Sequence, residues 1–157
     1  MGEQIFTAFR FDVQLEVSNP PEDLQLTNPL CNAAFAECDG LEMTMQPKTF
    51  HEGGNNTEQI HFVGPVSYGA LVLKRGMTPN FDLWKWFSAA VSNNGRGLTA
   101  RGLVMMRNAE GVPTVRFTLS NCLPIKMKAP ALNAKDGLLA IEELHLLYRS
   151  FQAESVS

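Results

Sequence analysis

The sequence lacks the short motifs that mark common catalytic sites. It contains neither Gly-x-x-x-x-Gly-Lys-Ser/Thr nor Gly-x-Gly-x-x-Gly, so no phosphate-binding loop is indicated. It also has no Gly-x-Ser-x-Gly sequence, which holds the nucleophile of many hydrolases. We therefore predict that the chain is not an enzyme and has no catalytic residues.

The sequence also lacks the ligand spacing of a metal site. His51 and Glu52 begin like the helical motif of zinc proteases, but Asn55 stands where the second histidine belongs. Gly53 and Gly54 would also break such a helix. The other cysteines and histidines match no zinc pattern. We expect neither a bound metal nor a cofactor.

Cysteine and net charge are both scarce. The three cysteines, Cys31, Cys38 and Cys122, are an odd number without a Cys-x-x-Cys pair, which indicates free thiols rather than a disulfide framework. A net charge of -3 argues against a dedicated nucleic-acid binder, because such proteins normally carry a basic patch.

No run of apolar residues is long enough to cross a bilayer, so we expect no stable membrane insertion. The first residues lack the basic start and apolar centre of a secretory signal, which favours folding in a cytosol.

What the sequence does contain is a series of strand patterns. Its 157 residues, 45% of them hydrophobic, fit a single domain over residues 1–157. Apolar and polar residues alternate over 9–17, and this period of two predicts a half-buried strand. Further strands are predicted at about 35–45 with a bend at Gly40, and at 66–74, 98–107 and 114–121.

Three segments are predicted to be irregular. Proline and glycine predict long loops at about 18–33 and 47–65, and the polar tail from about 152 is expected to fray. Residues 124–136, with two prolines and three lysines, are also predicted to be a loop.

One helix is predicted, at about residues 80–93. Asn80 is a suitable N-cap, and an apolar stripe at helical spacing follows it. Trp84 lies on that stripe, which predicts core packing. Trp86 points elsewhere, and we interpret it as an exposed aromatic side chain of the kind enriched at interfaces.

Residues 138–148 fit either a helix face or one side of a strand, and we choose the strand because the other strands need a partner. The predicted fold class is therefore mainly β: a small antiparallel β-barrel or sandwich of about six strands with one helix packed against it.

Several blocks of the sequence together resemble the tail-tube (inner tube) protein family of contractile injection systems and contractile phage tails. This family is related in fold to the hexameric tube protein of the type VI secretion system. The blocks run from the first strand to Ile141-Glu142-x-Leu144, and the Leu-Lys-Arg-Gly-x-Thr block at Leu73–Thr78 followed by Trp84 is the most specific.

The resemblance implies two groups of contact residues. The first is a ring-stacking loop, where glycine lets another backbone approach closely: Phe50, His51, Glu52, Gly53, Gly54 and Asn55. The second is a strand–helix corner with possible contacts between subunits: Lys74, Arg75, Gly76, Thr78, Trp84 and Trp86. Arg75 is either a surface charge or part of a buried or intersubunit ion pair.

The implied function is that of a structural subunit. Six copies would form a ring, and rings would stack into a hollow tube that a contracting sheath drives through a target envelope. The implied partners are copies of the chain, the sheath protein, baseplate or hub proteins, tape-measure or cap proteins, and cargo or DNA in the lumen. The subunit would be made in the bacterial cytoplasm.

The particle would be a phage tail, an extracellular phage tail-like particle or an envelope-docked injection system. The alternatives are a tube-initiator or baseplate ring of the same apparatus, a secreted effector on the same barrel, and a small ligand-binding barrel.

Overall fold

A computed structural model describes residues 10–18, 31–51, 53–54, 58–92, 98–132, 134–135 and 140–156. These residues form twelve strands and one helix. In chain order they are β1 (Arg10–Val17), β2 (Cys31–Ala34), β3 (Glu37–Asp39), β4 (Met43–Met45), β5 (Lys48–Phe50), β6 (Ile60–Phe62), β7 (Val66–Tyr68), β8 (Leu71–Gly76), α1 (Asp82–Ser92), β9 (Ala100–Arg107), β10 (Pro113–Lys128), β11 (Ile141–Leu147) and β12 (Ser150–Ser155).

Eight strands form one antiparallel sheet in the order β2-β1-β9-β10-β11-β8-β3, with β12 also paired to β10. Its two outermost strands, β2 and β3, are separated in the chain by only Phe35 and Ala36. In the described sheet β2 and β3 are not paired with each other, so the sheet is not a closed barrel. Its two end strands are nevertheless neighbours along the chain.

The 16-residue strand β10 joins the two halves of this sheet. Its first half pairs with β9 and β12, and its second half pairs with β11. The partners change around Asn121, whose φ of 49° bends the strand, and the register with β9 shifts between Leu119 and Cys122. The two halves therefore fold toward each other and enclose the core.

The core is built from the inward side of this bent sheet and from α1. Buried residues alternate along β1 and β8, as the period of two predicts. The helix contributes Leu83, Trp86 and Ala90, spaced by three and four residues, so that they lie on one face. The Asn80 side chain accepts a hydrogen bond from the Asp82 amide at 2.9 Å and caps the first turn.

The remaining four strands form a separate hairpin arm, which we define as residues 42–69. Strand β4 pairs with β7, and further out β5 pairs with β6. The Gln46 amide donates to the Pro65 carbonyl at 3.0 Å and links the two short ladders. The arm leaves the main sheet at Gly40 and returns to it at β8.

The predicted fold class is confirmed: the described residues are mainly β and antiparallel, and their one helix falls within the predicted range. The predicted number of about six strands was too low, because the described residues form twelve. The choice of a strand at 138–148 is also correct, since β11 spans Ile141–Leu147.

Four details of the predicted layout were wrong. Residues 47–65 are not only a loop, because they contain β5 and β6, and β2 begins inside the predicted loop at 18–33. The segment from Pro124 to Lys128 continues β10, and the proline is accommodated because the register with β11 shifts there. The tail does not fray from residue 152, since β12 pairs with β10 through Ser155.

Candidate functional site

Each ladder of the arm has an apolar face and a polar face. In the outer ladder Phe50 is paired with Ile60 and Lys48 with Phe62, while Thr49 and His61 share the other face. In the inner ladder the apolar pairs are Met43 with Tyr68 and Met45 with Val66, and Thr44 with Ser67 is the polar pair. The alternation of the sequence creates these faces, since neighbouring side chains on a strand point to opposite sides.

The apolar faces of the arm are exposed in the isolated chain. Phe50, Phe62 and Met43 retain 57%, 55% and 58% of their accessible surface, and Met45, Ile60, Val63 and Val66 are also exposed. Scattered exposed hydrophobic residues are normal, but a concentration of them on one element is typical of surfaces that take part in binding. The arm is therefore the clearest candidate for an assembly surface.

Four of the six predicted ring-stacking residues are described, and they lie at the outer end of this arm. Phe50 ends β5, and His51, Gly53 and Gly54 follow it as exposed residues. Nothing lies within 4 Å of the position that a Cβ atom would take on either glycine, and Gly54 has a φ of 90°. Glu52 and Asn55 lie outside the described residues.

The strand–helix corner holds a buried charge network. The Arg75 Nε donates to Glu142 Oε1 at 2.6 Å, and the Trp84 Nε1 donates to Glu142 Oε2 at 2.8 Å. Glu142 is 2% exposed and Arg75 is 6% exposed. The guanidinium also lies over the Phe35 ring at 5.4 Å. One carboxylate thus joins β11, β8 and α1.

Arg75 is not a surface charge: it is buried and ion-paired within its own chain. Its register partner on β11 is Glu142 itself, which brings the two residues together across 67 sequence positions. Glu143, the next residue, lies on the opposite face, where its Oε1 is 2.8 Å from the His145 Nε2. Adjacent acidic residues therefore have different environments, as expected on a strand.

The prediction for Trp86 was wrong, and Trp84 is less buried than predicted. Trp86, interpreted as an exposed interface residue, is 0% exposed and donates its Nε1 to the Leu98 carbonyl at 2.7 Å. Trp84 is half-buried and bonded to Glu142. The error came from the phase of the stripe, because the buried positions are Leu83, Trp86 and Ala90, while Val91 is exposed.

The other corner residues have local roles. Lys74 pairs with Glu37 at 3.4 Å, and the Thr78 Oγ1 accepts from the Asn80 amide at 3.2 Å. Gly76, the last residue of β8, has open space where a Cβ would lie. The structure therefore brings Arg75 and Trp84 together on Glu142, whereas Trp86 belongs to the core.

Tyr148 and the pairing of Glu142 with Arg75 were not predicted from the sequence. Tyr148 is buried, and its hydroxyl reaches the base of the arm. Neither residue carries a local signal, because its partners are distant in the sequence.

The two described thiols, Cys38 and Cys122, have low reactivity. Burial raises the pKa of Cys122 to about 12, and burial together with the nearby Asp39 charge raises the pKa of Cys38 to about 11. Both thiols are therefore protonated at neutral pH and are poor nucleophiles.

Within the described part of the chain, no cluster of three or more His, Cys, Asp or Glu residues is placed to hold a metal ion. No helix among these residues is both long and apolar enough to cross a membrane.

Similar solved structures share this fold. A chain in the cryo-EM structure of the anti-feeding prophage (AFP) baseplate is 27% identical with a TM-score of 0.80, over 100% of this chain and 99% of that one. A chain of the PVC sheath-tube complex in the extended state, from an extracellular contractile injection system, is 18% identical with a TM-score of 0.77, over 98% and 94%. Hcp1 from Salmonella typhimurium is 11% identical with a TM-score of 0.55, over 94% and 88%. The last two likenesses show the fold alone.

No curated protein matches the sequence significantly. The model of the family described as "T4-like virus tail tube protein gp19" matches residues 7–152, which is nearly the whole chain. This chain therefore belongs to the tail tube proteins of the T4 gp19 family.

Proposed function

We propose that the chain is the inner-tube subunit of a contractile injection system or phage tail, and that six copies form a ring that stacks on further rings. The observation that carries the proposal is the arm, whose apolar faces are exposed to water in the isolated chain. Burying such faces against neighbouring copies would recover free energy of about 25 cal/mol per Å² of apolar surface.

The contacts within a ring would use the free sheet edges. In the described sheet, β12 has a partner only on its β10 side and β2 only on its β1 side. Such edges expose main-chain donors and acceptors, which can pair with a strand of another chain. Repeated side-by-side contacts form a closed ring when the rotation from one copy to the next divides a full turn evenly. Six-fold symmetry was applied to the baseplate that contains the 27% identical chain.

The arm would then make the contacts between stacked rings, with its outer end near Gly53 and Gly54 against the next ring. Lys74, Thr78 and the half-buried Trp84 remain candidates for contacts between subunits. The partners of such a tube would be a sheath, a baseplate or hub, a cap or tape-measure protein, and cargo or DNA in the lumen. The similar solved structures are a sheath-tube complex, a baseplate and a tube cap, which supports a sheath, a baseplate and a cap as partners.

The tube would be a passive conduit rather than an enzyme, made and assembled in the bacterial cytoplasm. The raised pKa values of Cys38 and Cys122 agree with a role other than catalysis for these two residues, because neither thiol is activated for nucleophilic chemistry.

Electron microscopy of the purified protein tests the proposal. We expect hexameric rings and, as the concentration rises, stacked tubes with a central channel. Protein that stays monomeric at every concentration, and native particles without this chain in their tube, would overturn it.

A second candidate is the initiator ring at the baseplate, which would form once per particle. The likeness to the baseplate chain favours it, since both identity and TM-score exceed those for the sheath-tube chain described above. Copy number separates the two functions: six copies per particle indicate an initiator ring, whereas a number that grows with tube length indicates a tube subunit.

A further inference from the structure

The arm is attached to the β-domain by a small set of contacts at its base. Gly40 has a φ of 109°, and a Cβ on it would lie 2.0 Å from the Ala70 carbonyl oxygen. On the returning strand, a Cβ on Gly69 would lie 2.6 Å from the Glu42 Cγ. The two strands of the arm therefore pass very close to each other where they leave and re-enter the main sheet.

A single hydroxyl group reaches this base from the core. The Tyr148 hydroxyl donates to the Gly40 carbonyl oxygen at 2.7 Å and lies 3.1 Å from the Glu42 carbonyl oxygen. It also accepts a hydrogen bond from the Glu42 amide at 3.2 Å. One side chain that follows β11 thus bonds to main-chain groups of Gly40 and of Glu42, the first residue of the arm.

The Tyr148 ring holds the other strand of the arm. It packs against Tyr68, the last residue of β7, with ring centroids 5.6 Å apart, and against Phe151 at the same distance. Tyr68 and Phe151 are themselves 5.9 Å apart. The outgoing strand is therefore held by the hydroxyl and the returning strand by the ring.

We propose that Tyr148 is a positioning residue for assembly, which fixes the direction in which the arm leaves the β-domain. The inference rests on the proposed function, because it assumes that the arm contacts neighbouring copies. An arm that already points in the assembled direction loses less conformational freedom when it binds, so assembly needs a lower protein concentration. Nothing in the sequence around Tyr148 points to this role, since the arm begins 106 residues earlier.

Tyr148→Phe tests the proposal, because it keeps the ring and removes the hydroxyl. In the unassembled subunit we expect main-chain hydrogen exchange at residues 43–45 and 66–68 to become about tenfold faster, with exchange in β8 and β11 unchanged. The critical concentration for ring or tube formation should rise about tenfold.

A control must separate positioning from general loss of stability. Val104→Ala truncates a buried side chain in β9. It should lower the melting temperature at least as much as Tyr148→Phe does, and leave the arm's exchange and the critical concentration unchanged.

The proposal is overturned if Tyr148→Phe assembles at the wild-type concentration with wild-type exchange in the arm, or if Val104→Ala changes both quantities equally. If Tyr148→Phe does not fold, Gly40→Ala tests the base of the arm instead, because its Cβ would lie 2.0 Å from the Ala70 carbonyl oxygen and displace the backbone there. Wild-type assembly by that variant overturns the proposal. Failure of the wild-type chain to assemble would refute the proposed function instead, and the exchange measurement would still report on the arm.

Discussion

The strand–helix corner and the hairpin arm differ in the kind of side chain that is in an unfavourable environment. At the corner, two charged groups are buried, and Arg75 and Trp84 both donate hydrogen bonds to Glu142 within the chain. In the arm, apolar groups such as Phe50 and Phe62 remain in water. Neither condition is favourable for an isolated residue. The corner satisfies its charged groups within the subunit, whereas the described part of the chain leaves the apolar groups of the arm exposed.

The comparison predicts that corner substitutions reduce subunit stability and that arm substitutions reduce assembly. The largest effect should follow from Glu142→Leu, which leaves the Arg75 guanidinium buried without its counter-charge. We expect the free energy of unfolding in urea to fall by about 3–5 kcal/mol.

The double variant Arg75→Met with Glu142→Leu is the matched control for this loss. It replaces both charges with apolar groups and should recover most of the stability, since the unpaired charge is what costs free energy. If the double variant is no more stable than the single one, the buried pair does not explain the effect.

The next effect should come from the apolar face of the outer ladder of the arm. Replacing both Phe50 and Phe62 with serine should change the free energy of unfolding by less than about 0.5 kcal/mol, because both side chains are exposed. If each phenylalanine side chain is buried between copies, its loss removes about 1.5–3 kcal/mol from the contact. The critical concentration for assembly, measured by light scattering, should then rise at least about tenfold for each phenylalanine replaced.

The polar face of the same ladder supplies the control. Thr49→Ser with His61→Gln changes two side chains on the opposite face and should alter the critical concentration far less. Equal effects from the two faces would contradict the assignment of the apolar face to the contact.

A narrower effect is expected at the outer end of the arm. Gly53 has open space around it and no positive φ, so Gly53→Val should fold as the wild type does. Rings should still form, while stacking should fail if another backbone approaches this position, and electron microscopy would show single rings in place of tubes. Full-length tubes from this variant would show that the stacking contact lies elsewhere.

Gly54→Val provides a comparison with Gly53→Val, because the two glycines differ in backbone conformation. Gly54 has a φ of 90°, so a valine there strains the backbone even before any contact is made. We expect Gly54→Val to disturb the outer end of the arm in the free subunit, which Gly53→Val should not do.

The smallest effect concerns the outer face of the main sheet, where charges alternate across four strands. Glu37, Lys74, Glu143 and Lys128 are neighbours in register. The hydrogen bond from His145, with the charges of His145, Lys74 and Lys128, lowers the pKa of Glu143 below its ordinary value of 4.5.

Because the pKa of Glu143 is lower in the folded chain, its contribution to stability is present above pH 4.5 and is lost as the pH falls through the lowered pKa. His145→Gln should raise the pKa of Glu143 toward the ordinary value, as measured by NMR titration of the carboxylate. An unchanged titration midpoint would show that His145 is not the main cause.

Local pattern was sufficient for the elements with regular alternation. Strands β1 and β9 and the helix could be predicted because each has a clear period, and Asn80 marks the start of the helix. The pattern at 138–148 fitted a helix as well as a strand, and the need for a pairing partner decided the prediction of β11. It was insufficient where irregular residues sit within regular structure: Pro124 lies in β10, and β12 follows from pairing rather than from its polar composition. For the candidate site, the residues at the outer end of the arm were named from the sequence. The arm itself, with its two paired ladders, was not predicted, because residues 47–65 were expected to form a loop.

The sequence alone determined that the chain is mainly β with one helix, that it lacks known catalytic motifs, and that it resembles the tail-tube family. These properties depend on residues close together in the chain. The tertiary structure decided which tryptophan is buried, that Arg75 pairs with Glu142, and that Tyr148 holds the base of the arm. Those outcomes depend on strand register and helix phase, which place partners 67 and 106 positions apart in contact.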